Sequence, residues 1–129
     1  MKPWFNKIDL IMFTKYLEQA NYYFEFGSGG STIKALTNTN IKQVISVENS
    51  SQFINSFKQY LTTLNSSLFT KLTYFEINMN TEDKPNSWPK NNLKYGETIQ
   101  ESWISYTSCF QKVKNLPIDL ILIDGRFRA

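Results

Sequence analysis

Histidine is absent from these 129 residues, and cysteine occurs once. Without histidine there is no Ser-His-Asp triad and no Cys-His dyad. Any general base must be Asp, Glu, Lys, Tyr or the substrate itself. The single thiol, Cys109, forms no internal disulfide, and one Cys without His leaves too few soft ligands for a structural zinc site. A reducing compartment, the cytoplasm, is expected. Long apolar runs are missing too. The segment from Ile8 to Phe13 is interrupted by Asp9 and followed by Lys15, so it reads as neither a signal peptide nor a membrane span. Charge is sparse and nearly balanced, with 14 Lys and Arg against 11 Asp and Glu, and no dense basic block. Scattered lysines on a solvated surface are expected, rather than nucleic-acid binding.

What is present is a core. Hydrophobic residues make up 41% and aromatic residues 16%, enough for one globular domain over residues 1–129. Helical spacing of Ile8, Ile11, Met12, Tyr16 and Leu17 predicts a helix over Lys7 to Gln19. A short aromatic strand follows, Tyr22 to Phe26, stopped by Gly27-Ser28-Gly29-Gly30. Ser31 is the expected N-cap of a short helix through Leu36. Val44 to Glu48 is the second strand, nearly all apolar, as expected for a strand covered on both faces. Asn49, with Gln52 three residues on, is the expected cap of the next helix, whose stripe is Phe53, Phe57, Tyr60, Leu61 and Leu64. Leu72 to Ile77 reads as a third strand and Leu120 to Ile123 as a fourth. Between them, Thr98 with Glu101 opens a helix whose stripe is Ile99, Trp103, Tyr106, Phe110 and Val113. Alternating strands and helices imply right-handed crossovers and a parallel α/β sheet of about four strands, Rossmann-like in character.

In such sheets ligands bind beyond the carboxyl ends of the strands, so the residues there carry the chemistry. After the first strand stands Glu25-Phe26-Gly27-Ser28-Gly29-Gly30-Ser31. Gly27 permits a tight turn, Gly29 leaves room for a ligand, and the helix start offers backbone N–H groups. Glu48 ends the second strand roughly 20 residues past the glycines, where a carboxylate accepts from both ribose hydroxyls. The plainer alternative is that the glycines only make a turn and Glu48 only caps the next helix. Thr32 stands where a dinucleotide fingerprint wants a third small residue, which argues against NAD or FAD. The Walker pattern is absent.

Glu25-x-Gly27-x-Gly29 after an apolar strand, followed by Val47-Glu48, resembles the first two motifs of class I S-adenosylmethionine-dependent methyltransferases. The resemblance implies that Gly27, Ser28 and Gly29 lie against the methionine part of S-adenosylmethionine. It also implies that Glu48 holds the ribose and that Glu25 helps to place the amino-acid end. Ser31 stands where that pattern often has a third glycine. The run Asp124-Gly125-Arg126-Phe127-Arg128 and the Trp88-Pro89-Lys90 loop are similar to a little-characterised subgroup of these proteins. In some relatives an acid at the fourth strand end binds a divalent metal or sits beside the reacting group, which makes Asp124 the catalytic candidate. A turn-forming Asp-Gly is the alternative. Arg126 and Arg128 are either anion holders or a solvated terminus. No metal site is assigned.

The expected activity is methyl transfer to an unknown, small-molecule acceptor, by proximity and in-line orientation. The alternative is a non-catalytic S-adenosylmethionine- or nucleotide-binding module, degenerate or split. The resemblance covers only the first half of that fold, which normally continues with further strands and helices. The edge of Leu120 to Ile123 is therefore expected to pair with a second copy or a complementing chain.

Overall fold

The structure is a computed structural model and describes residues 5–77, 104–105 and 107–123. Its elements run α1 (Lys7–Gln19), β1 (Tyr22–Phe26), α2 (Gly30–Leu36), β2 (Gln43–Glu48), α3 (Ser51–Leu64), β3 (Leu72–Glu76) and β4 (Leu120–Ile123). Short 3-10 turns at Ser66–Lys71 and Ser108–Val113 lead into the last two strands. The four strands form one parallel sheet in the order β3-β2-β1-β4. This is the expected α/β architecture, with β1 and β2 in the middle. Asp119 joins β4 to β1 at the base, its carboxylate accepting from the backbone N–H of Asn21 and Tyr22.

Each face of the sheet has its own core. On one face Tyr23 and Val44 meet Phe13 and Leu17 of α1, Ala35 and Leu36 of α2, and Phe57 and Leu61 of α3. On the other, Phe24, Phe26, Ile45 and Val47 pack against Cys109 and Val113 of the last 3-10 turn. Burial on both sides accounts for the near-continuous apolar character of β1 and β2. Cys109 is buried as a small hydrophobe, and that burial pushes its thiol up.

Three local expectations are corrected. Helix α1 has the expected extent, but of its expected stripe only Leu17 turns inward, with Phe13 beside it. Phe13 and Leu17 are buried, whereas Ile8, Ile11, Met12 and Tyr16 are exposed. Both stripes have helical spacing; the short Ala20-Asn21 link to β1 and the contact between Phe13 and Tyr23 select the inner one. Ser50, not Asn49, caps α3, its hydroxyl accepting from the N–H of Phe53 at 3.1 Å. Helix α2 begins at Gly30 with Gly29 as its cap, and Ser31 spends its hydroxyl elsewhere. The helix expected from Thr98 shows, within the described residues, as helical backbone at Ile104, Ser105 and Thr107 that tightens into the 3-10 turn Ser108–Val113. The start of that expected helix, with Ile99, Trp103 and Tyr106, lies outside them, as do Trp88 and Tyr95.

Candidate functional site

The carboxyl ends of β1 and β2 carry the glycine loop and Glu48 side by side. Gly27 extends the ladder by one residue, its N–H donating to the Val47 carbonyl at 2.8 Å. Its φ of 92° lies in the left-handed region, so glycine is required for the turn. Ser28 then drops its N–H onto Glu48 Oε2 at 3.0 Å. The other carboxylate oxygen of Glu48 accepts from the N–H groups of Asn49 at 2.9 Å and Ser50 at 3.3 Å. Glu48 thus steadies the entry to α3 and also faces the glycine loop. Burial raises its carboxyl above the usual range, opposed by those three N–H donors.

Gly29 supplies the space. Among the described residues, a Cβ built on it meets nothing within 4 Å, so the loop borders open space at this point. Its backbone is extended, with φ 166°, a conformation any residue adopts. The missing side chain therefore matters for room and not for strain.

Glu25 lies behind the loop, fully buried. Oε1 accepts from Tyr23 at 2.8 Å and Ser31 at 3.0 Å, and Oε2 from Ser46 at 2.7 Å and from Thr32. Burial pushes its carboxyl up to about 7, against those hydroxyls, which pull it down. Register explains the convergence: Glu25 pairs with Ser46 and Ser46 with Tyr74, one row across three strands. Tyr74 reaches Ser28, with the two hydroxyl oxygens 2.6 Å apart. Burial raises the Tyr74 hydroxyl above the ordinary tyrosine range.

The five residues expected at a cofactor site, Glu25, Gly27, Ser28, Gly29 and Glu48, are therefore contiguous. Asp124, Arg126 and Arg128 lie outside the described residues. Among the described residues, no group of three His, Cys, Asp or Glu stands together as a metal site, and no helix is long and apolar enough to cross a membrane. Thr32, Ser46, Tyr23 and Tyr74 were not legible as site residues. The available signal was a lone serine inside the apolar run Val44 to Val47.

No family model and no curated protein matches the chain. In fold it is similar to a methyltransferase-like protein from Silicibacter pomeroyi DSS-3, with a TM-score of 0.77 at 21% identity. The match covers 98% of this chain and 62% of that one. At this identity the likeness is one of fold, a parallel four-stranded α/β sheet with flanking helices.

Proposed function

We propose that the chain binds S-adenosylmethionine across the carboxyl ends of β1 and β2 and takes part in methyl transfer to a small-molecule acceptor. The observation that carries this reading is the tether from the Ser28 amide to Glu48, with open space beside Gly29. A turn held open by Gly27 and a carboxylate at the neighbouring strand end suit an adenosine ribose on one side and a methionine chain on the other. Glu48 would accept from the ribose hydroxyls, and residues 27–29 would lie along the methionine part. Glu25 would act on the ligand through Ser31 and Thr32, because its own acceptor sites are filled. The cofactor, when bound, supplies an electrophilic methyl group; the chain's residues bind it and orient it. Asp124 remains the catalytic candidate.

Calorimetric titration with S-adenosylmethionine and S-adenosylhomocysteine tests the reading. Binding of both is expected, and failure of both at millimolar concentration would overturn it. Methyl transfer by the chain, compared with Asp124→Asn, then separates an enzyme from a binding module. The same fold leads us to propose self-association. Among the described residues β4 is an outer strand of the sheet, and its Ile121 and Ile123 are exposed, which favours edge pairing with a second copy.

A further inference from the structure

Glu25 is a fully buried carboxylate whose partners, among the described residues, are four hydroxyls. A carboxylate only accepts, and it has about four lone-pair sites, so each hydroxyl turns its one proton inward. That settles the direction of the bonds beyond it. Thr32 spends its proton on Glu25, and its oxygen also accepts from the Gly29 N–H at 2.9 Å. The 3.0 Å contact between Ser28 and Thr32 must then be donated by Ser28. Having given its proton away, Ser28 accepts from Tyr74.

We propose that the chain Tyr74–Ser28–Thr32–Glu25 is a proton-linked positioning device for the glycine loop, in which the charge on Glu25 decides which way the chain runs and how Ser28 is held. A neutral Glu25 must donate a proton of its own. Given to Thr32, it turns Thr32 toward Ser28 and Ser28 toward Tyr74, which is left accepting, with its own proton directed out of the chain. Burial places this change near neutrality. Among the described residues, the titratable groups facing the chain are Tyr23 on β1, Glu48 on β2, Tyr74 on β3 and Lys58 of α3, whose Nζ lies 5.9 Å from the Tyr74 ring centre. Helix α2 presents Ser31 and Thr32, α1 sets Phe13 against Tyr23, and β4 places Leu122 opposite Glu25 in register. Tyr74 and Thr32 are thus positioning residues that act on the ligand through Ser28.

The consequence for ligand binding rests on the proposed cofactor reading. A sulfonium cation at the loop favours ionised Glu25, so S-adenosylmethionine should release a proton on binding near neutral pH and bind more weakly in acid. The chain itself is tested without ligand. In NMR of the apo protein, the Ser28 and Gly29 amides should titrate together with the Glu25 side-chain carboxyl carbon. In Glu25→Gln the Gly29 amide, which donates to Thr32, should be flat with pH, while Ser28 keeps only the response of Glu48, which its N–H meets directly. In Tyr74→Phe the carboxyl should still titrate, while affinity for S-adenosylhomocysteine falls roughly two- to tenfold through the lost hydrogen bond. Titration of Glu25 in the wild type without a response from the two amides would overturn the proposal, and so would the absence of any Glu25 titration through neutrality. If neither adenosyl ligand binds, the cofactor reading fails and the apo titration still decides the chain.

Discussion

The backbone N–H of Ser28 donates to the carboxylate of Glu48 across 3.0 Å, joining the ends of two neighbouring strands from positions 20 residues apart. One carboxylate therefore shapes the turn and the mouth beside it. A ligand that engages Glu48 also engages the placement of the loop.

Replacing Glu48 with Ala should remove the ribose acceptor and release Ser28 together. Affinity for S-adenosylhomocysteine is expected to fall by about 1–3 kcal/mol, measured by calorimetry. Stability should fall as well, because the N–H groups of Asn49 and Ser50 lose the same acceptor. Unchanged affinity in a folded Glu48→Ala would remove Glu48 from the site.

The two loop glycines should fail differently. Gly27→Ala puts a side chain on a backbone with φ 92° and is expected to cost about 1–3 kcal/mol of stability in urea denaturation. Gly29→Val places its branched side chain in open space, so the fold should persist while ligand binding is lost. Retained binding by Gly29→Val would show that the ligand does not pass there.

Stability should depend on pH through Glu25. Burial lifts its carboxyl from an ordinary 4.5 to about 7 in the folded chain, so the folded state holds the proton more tightly than the unfolded one. That contribution is complete below 4.5 and is lost as the pH rises through about 7, by about 3 kcal/mol at full ionisation. Urea denaturation of the wild type should therefore lose ground to Glu25→Gln across this interval. A constant difference between the two would mean that Glu25 is ionised throughout.

Along β4 the side chains alternate. Leu120 and Leu122 pack on the helix-covered face, and Ile121 and Ile123, 44% and 48% exposed, face away. Lysine at Ile121 and Ile123 should lower self-association in sedimentation while preserving the fold. Lysine at Leu120 or Leu122, which are half-buried against the core, should instead destabilise through lost packing and partial desolvation of the charge. A monomeric wild type at high concentration would remove the proposed edge pairing.

Much of this molecule was legible in its sequence. The apolar runs Tyr22–Phe26 and Val44–Glu48, separated by glycines and a short helix, mark two adjacent buried strands, and the strand ends mark where a site must lie. Gly27, Gly29 and Glu48 could be named because turn chemistry and strand ends are local properties. Other features were not local. Periodicity showed that α1 is a helix but not which of its two apolar stripes turns inward, because that depends on what the next strand presents. Nothing in the spacing of Tyr23, Ser31, Thr32, Ser46 and Tyr74 marks them as a set. Parallel register puts Glu25 level with Ser46 and Ser46 level with Tyr74, and the tight Gly27 turn carries α2 back over that row. Only then do four hydroxyls close on one buried carboxylate. Residue order determined the elements and their polar ends; the pairing of strands, a long-range property, decided which side chains share a proton.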